Sequence, residues 1–362
     1  MESQIKISVI VPVYNGEAFI EKCLEILSNQ NFDKSFEIII INDASTDKTL
    51  EILKGAKLKN LKIYSFKSNS GQSAARNLGL KKSSGEYIYF QDVDDIISTE
   101  SLKILYGIAK INECDFVCSD FKRIENSENQ REGVFNYPKD MLFDNNEIIK
   151  SMIRELHDPT LGHLGLFGCN GRLIRRSIII DNKIFFEEKL RWLEDKTFCW
   201  DVLSHVKNAR YLRKQLYSYY VYPEMHTAVT ESLNRGFPLE YIKLIVRHIE
   251  QALKRRNLSK EEVEKLCQQG LIFFSIQVLV SISRSMVLGK INLKKGKEIR
   301  KNIIKEILRD KDISNAIKNY KPSKKESPWI PRAIALNSIL LVEIACNKRA
   351  KEVVGHRRKG IM

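Results

Sequence analysis

The chain has 362 residues, 43% hydrophobic and 9% aromatic, with 17 Gly and 8 Pro. That composition fills a core and excludes wholesale disorder and collagen-like or low-complexity sequence. The net charge of +15 is uneven: residues 1–234 carry 31 basic and 33 acidic residues, whereas residues 235–362 carry 29 and 12, a net +17.

Strand and helix signals alternate over the first hundred residues. Ile7 to Val13 is a β-branched run that ends in a Tyr14-Asn15-Gly16 turn. Phe19 to Ser28 has helical spacing, Phe36 to Ile41 is a buried-type strand, and Asn42 to Asp47 is a polar loop. Ser45 or Thr46 is placed to cap a helix holding Leu50, Ile52 and Leu53. A strand at Leu61 to Phe66, a helix at Ser73 to Leu80 and a strand at Tyr87 to Gln91 follow. This alternation predicts an α/β fold with a mostly parallel sheet and helices on both faces. Ligands of such sheets bind beyond the carboxyl ends of the strands, where Tyr14-Asn15, Asp43 and Asp92-Val93-Asp94-Asp95 fall. Residues 100–234 mix elements: helix at 101–109, strand at 115–121, helix at 146–156, and a helix opening near Glu194-Asp195. From Pro238 onward the pattern is helical, at 239–255, 260–284, 294–308 and 329–354. The domain reading is a catalytic domain over 1–234 and a basic, helical region over 235–362.

The seven cysteines form no Cys-x-x-Cys pair and are odd in number, which fits free thiols in a reducing cytosol. The apolar run at the start is too short for a signal-peptide core. Leu271 to Ile282 and Ile334 to Cys346 both fall short of the ~20 apolar residues of a spanning helix. The expected location is cytoplasmic, with the inner face of the cell membrane as a peripheral alternative.

Asp92-Val93-Asp94-Asp95 is the strongest local feature. Three carboxylates in four positions repel one another unless something positive sits there. Hard oxygen ligands suit Mg²⁺ or Mn²⁺ completed by phosphate oxygens; the competing reading is a solvated acidic loop.

Five motifs in order then carry a resemblance: Val9 to Asn15, Ile41 to Asp47, Asn69-Ser70-Gly71 with Ala74 to Asn77, Gly85 to Ile88, and Asp92 to Asp95. The chain resembles the family 2 glycosyltransferases, inverting enzymes of the GT-A fold, strongly over 6–100 and more weakly over 165–232. The resemblance implies a metal-dependent hexosyltransferase that moves a sugar from a UDP-sugar to a glycan or lipid-linked acceptor in cell-surface polysaccharide synthesis. It implies that Pro12, Tyr14 and Asn15 line the nucleotide pocket, that Asp43 accepts from the uracil ring, and that Asn69 and Arg76 frame base and diphosphate. Asp92 would reach the ribose or a metal-bound water, and Asp94 would bind Mn²⁺ or Mg²⁺. Trp192 to Phe198 resembles the family's acceptor-site Glu-Asp segment, making Asp195 the base and Glu194 an acceptor-orienting residue. Asn170 and Arg172 are candidate acceptor contacts. The segment from Tyr217 to Thr230 resembles a closing loop whose His226 would complete the metal or diphosphate site. Ala44 departs from the Gly usual in the family, and Gln91 and Val93 from the usual Leu and small residue. The Gln-x-x-Arg-Trp signature of processive synthases is missing after Glu194-Asp195.

Residues 235–362 lie outside the resemblance. Their charge leaves open contact with an anionic membrane, with an anionic polymer acceptor, or a solvated helical module with Leu271 to Val280 buried internally or in a homodimer. The alternative class is a nucleic-acid or anionic-polymer binder carrying a non-catalytic sugar-nucleotide scaffold. No RNP-like, zinc-finger or clear helix-turn-helix signature supports nucleic acid.

Overall fold

The computed structural model describes residues 4–124, 130–133, 139–157, 166–222, 228–322 and 326–358. It divides into two compact units, one of residues 1–150 and 163–223, the other of 151–162 and 224–362.

The first unit opens with β1 (Ile7–Val13), α1 (Ile20–Ser28), β2 (Phe36–Asn42), α2 (Thr49–Gly55), β3 (Leu61–Ser65), α3 (Gln72–Lys82), β4 (Tyr87–Phe90), β5 (Ile96–Ile97) and α4 (Ser101–Ile111). It continues with β6 (Phe116–Ile124), β7 (Gln130–Gly133), β8 (Met141–Phe143) and the start of α5 (Asn145–His157). β9 (Leu173–Arg175), α6 (Arg176–Asp181), α7 (Glu194–Leu203) and β10 (Ala209–Tyr220) complete it. The described strands form one ten-stranded sheet in the order β3-β2-β1-β4-β9-β6-β10-β5, with β7 on β6 and β8 on β10. The pairs among β3, β2, β1 and β4 are parallel, as is β6 with β10. β9 is antiparallel to both of its neighbours, so the sheet is mixed beyond β4.

Side chains alternate across the pleat, and each face finds a different helical layer. Ile38 and Ile40 pack with Val9, Val11 and the apolar stripes of α1 and α4. Ile39 and Ile41 pack with Ala75 of α3. Both faces of β2 are therefore covered, which is why it reads as an unbroken apolar run.

The sequence expectation and the structure part at a few points. Ser45 and Thr46 do not cap α2; its first turn is held by Asp47, whose Oδ1 accepts from the Thr49 N–H at 3.0 Å. Ser45 and Thr46 bond Asn15 instead. β5, β7, β8, β9, α6 and β10 are elements beyond those the sequence pattern predicts.

The second unit holds the end of α5 and α8 (Ala228–Arg235), α9 (Leu239–Arg255), α10 (Lys260–Val287), α11 (Leu293–Arg309), α12 (Lys311–Ala316), α13 (Trp329–Ala335) and α14 (Ile339–Arg358). The expected single helix from Trp329 to Val354 is broken, because Asn337 takes a left-handed φ of 51°. α10 begins with a capping box between Ser259 and Glu262 and is buried nearly all round from Gln269 to Leu279. The expectation of no sufficiently long apolar helix is corrected here: α10 is long and apolar enough to cross a membrane. Its apolar window is 67% buried within the protein, and it packs on α9, α11, α12 and α14, as the core helix of this unit does.

Candidate active site

Every described candidate residue lies in the first unit, and the loops that follow β1, β2 and β4 leave the same edge of its parallel strands. Two loops lace together first. Asn15, at φ 49°, accepts from the Thr46 N–H at 2.8 Å and donates its own N–H to Ser45 Oγ at 2.9 Å. Pro12 is buried within β1 opposite Ile41, while Tyr14 is 50% exposed at the strand's end.

Asp43 is buried, and both of its carboxylate oxygens accept main-chain N–H groups, Ser70 at 2.6 Å and Gly71 at 2.8 Å. Each oxygen keeps a lone pair for one more donor. Asn69 reaches the Asp43 carbonyl at 3.5 Å. Gly71 holds φ 94°, a backbone conformation strained for any L side chain, and a Cβ there would lie 2.6 Å from an Arg191 guanidinium nitrogen. Arg191 thus stands at the entrance to α3.

The acidic loop separates into three environments. Asp92 accepts from Gln72 Nε2 (3.1 Å), Arg76 (3.0 Å) and Asn170 Nδ2 (2.5 Å). Asp95 is buried and accepts from the Tyr217 hydroxyl (2.5 Å) and the Tyr220 N–H (2.9 Å), which ties the loop to β10. Burial first, then repulsion from Asp92 and Asp94, pushes its carboxyl well above the usual range. Asp94 has no side-chain donor among the described residues, and burial followed by Asp92 pushes it up to about 6.

Arg76 joins this loop to the second acidic pair. It is 2% exposed, bonds Asp92 and Glu194 (3.3 Å), and lies 5.2 Å over the Phe186 ring. Phe186 stacks on Phe198 at 4.0 Å, and both meet Phe90 edge-on, forming a dry wall that strengthens these charge contacts.

Glu194 and Asp195 open α7, where the helix dipole favours negative charge. Leu193 precedes them at a left-handed φ of 68°, a strained setting for a branched buried side chain. Burial first and Asp195 second push Glu194 up to about 7, against the pull of Arg76. Burial also raises Asp195, against Lys196 and Arg76. Among the described residues the Asp195 carboxylate accepts only the Lys196 N–H, at 2.7 Å, so it keeps lone pairs for a proton.

Asn170 and Arg172, considered as acceptor contacts, are occupied otherwise. Asn170 bonds Asp92, and Arg172 is buried and donates to the Asn170 carbonyl at 2.8 Å. Gly171 (φ 67°) lets the segment pass against the Tyr217 ring, where a Cβ would come within 2.6 Å. His226 lies outside the described residues. Among those described, no group of three or more His, Cys, Asp or Glu side chains converges as a metal cage. All seven cysteines are free thiols.

Residues 8–182 match the family model Glycosyl transferase family 2. It is 31% identical over 219 residues to the Staphylococcus aureus poly(ribitol-phosphate) beta-N-acetylglucosaminyltransferase TarS, covering 59% of this chain and 35% of that one. It is 35% identical over 207 residues to a Bacillus spizizenii poly(ribitol-phosphate) beta-glucosyltransferase, covering 56% and 30%. The chain thus spans about a third of the length of these curated relatives. The solved structure of S. aureus TarS 1–349 in complex with UDP-GlcNAc superposes with a TM-score of 0.68 at 20% identity, over 97% of this chain and 92% of that one. The fold is GT-A with a C-terminal helical region.

Proposed function

We propose that this protein is an inverting glycosyltransferase that moves a hexose from a UDP-sugar to a glycan acceptor of cell-surface polymers, with residues 1–234 as its catalytic part. One observation carries the reading: Arg76 clamps Asp92 and Glu194 together, while their neighbours Asp94 and Asp195 have no side-chain donor among the described residues. Two free carboxylates in one walled site suit two different tasks.

Asp195 takes the proton of the acceptor hydroxyl as that oxygen attacks the anomeric carbon, and its raised proton affinity suits it to that role. Glu194, fixed by Arg76, orients the acceptor. Asp43 offers its remaining lone pairs to the uracil ring while bracing the Asn69–Gly71 loop, and Tyr14 covers the base. The donor set at Asp94 and Asp92 fits a divalent Mn²⁺ or Mg²⁺ held by one or two carboxylates together with phosphate oxygens. Such a cation supplies charge neutralisation for the departing diphosphate. The relatives' names make UDP-GlcNAc and UDP-glucose the first donors to try. A poly(polyol-phosphate) acceptor fits a C-terminal region with 29 basic against 12 acidic residues, and a lipid-linked acceptor is the second candidate. Seven free thiols support a cytoplasmic, reducing location. Nucleic-acid binding is not favoured, because the family match falls on the domain that this alternative leaves idle.

The test is UDP release from a panel of UDP-sugars, with Mn²⁺ or with EDTA. Metal-dependent turnover of one donor, lowered about 100-fold or more in Asp94→Ala, is expected. Silence toward every donor, with no UDP binding by calorimetry, contradicts the reading.

A further inference from the structure

We propose that the outward face of α13 and α14 docks on an anionic lipid surface. Five large apolar side chains stand in water there, Trp329, Leu336, Leu340, Leu341 and Ile344, each between 42% and 69% exposed. They are not the helices' core stripe. That stripe is already buried and consists of Ile330, Ala333, Ile334, Val342, Ala345, Cys346 and Ala350. A helix with one face in a core ordinarily turns polar residues outward. Here the outward turns of α14 are Leu and Ile, and only beyond them does the face become cationic.

The helical repeat puts Leu340, Leu341, Ile344, Lys348 and Lys351 within about 100° of one another around α14. Lys348 and Lys351 are exposed, so the apolar stripe runs directly into a basic one. At the other end the Arg332 guanidinium lies 5.2 Å over the exposed Trp329 ring. Exposed indole and leucine beside lysine and arginine form the pattern of a helix lying in a bilayer interface, with apolar side chains at the acyl boundary and cations at the headgroups.

Charge selects the occupant. The region 235–362 has a net charge of +17, so two copies meeting through this face would bring like charges together, whereas an anionic leaflet attracts each of them. A purely electrostatic partner, such as an anionic polymer, would leave the five apolar side chains without a role.

The experiment is co-sedimentation of the full chain with phosphatidylcholine vesicles, with and without phosphatidylglycerol, at physiological salt. The chain is expected to pellet with the anionic vesicles only. Leu340→Glu/Ile344→Glu and Lys348→Glu/Lys351→Glu should each weaken that binding about tenfold or more while circular dichroism stays unchanged. These positions are exposed, so the fold tolerates the changes. No sedimentation with anionic vesicles overturns the proposal. So does binding that Leu340→Glu/Ile344→Glu leaves intact, which would mean attraction by charge alone. A concentration-dependent dimer in light scattering, dissociated by Leu340→Glu/Ile344→Glu without any vesicle binding, would assign the face to a second copy instead.

Discussion

Arg76 is the residue on which the site's electrostatics turn. It is buried among Asp92, Glu194 and the Phe186 ring, and its Nε has no partner among the described residues. Removing one member of a buried ion pair strands the other charge, which costs about 3–5 kcal/mol. Arg76→Met should therefore lower stability by about that amount at neutral pH, measured by urea unfolding, and by less at acid pH, where the stranded carboxyls protonate. The same cation holds down the proton affinity of Glu194 and Asp195. A carboxyl base works only when ionised, so kcat/KM should rise with pH through a limb above the ordinary carboxylate range and level off beyond it. The limb belongs to the pair rather than to either residue. In Arg76→Met it should move to higher pH; a pH profile of the variant unchanged from wild type would separate Arg76 from the acid–base chemistry. Little of this was legible in sequence. Arg76 and Glu194 are 118 residues apart, and Asp95 shows its structural role only through Tyr217, 122 residues away. Motif spacing marks which acids gather but not which of them is already satisfied.

Among the elements, Glu37 does for the sheet what Arg76 does for the site. From β2 it accepts from Ser8 Oγ on β1 (2.6 Å), Lys62 Nζ on β3 (2.6 Å) and the Ser84 N–H ahead of β4 (2.7 Å). Burial alone would raise its carboxyl, but the bonds from Lys62, Ser8 and Ser84 outweigh it and hold it below the ordinary 4.5. A depressed carboxyl contributes stability above its unfolded pKa and loses it as pH falls through the folded one. Glu37→Gln should cost about 1.5–3 kcal/mol at pH 7 in urea unfolding, and the gap to wild type should close below about 4.5. A gap constant with pH would show that the carboxylate's charge is irrelevant. β1, β2 and β4 were legible because both faces of each are buried, so their sequences are nearly continuous apolar runs. β10 was not, since Arg213, Lys214 and Gln215 interrupt it where its pairing with β6 shifts register. β9 has only three residues, too few for any periodicity. Ala44, noted in sequence as standing where glycine is usual, proves to hold a left-handed φ of 58°. The departure is one of backbone strain, borne because Asp43 anchors the loop beside it.

For the whole molecule, the charge division seen in sequence maps onto chemistry of two kinds. The acidic groups that matter cluster at one strand edge of the first unit, while the excess of lysine and arginine belongs to helices of the second. With a polyanionic acceptor, this predicts an acceptor KM that rises steeply with salt while the KM for the UDP-sugar changes little. Parallel salt dependence of the two would remove the basic helices from acceptor capture. The helical content after Pro238 was legible from periodicity, but the exposed side of α13 and α14 was not. An outward Leu340 and an inward Val342 look alike until their neighbours are placed.

Asp195 is the base we propose for a transfer from a UDP-sugar. The most direct measurement is single-turnover transfer of labelled sugar by wild type and by Asp195→Asn, with UDP affinity determined on the same two proteins by calorimetry. A transfer rate lowered by about 10²–10⁴-fold with the affinity for UDP unchanged is expected. Transfer at the wild-type rate in Asp195→Asn would contradict it.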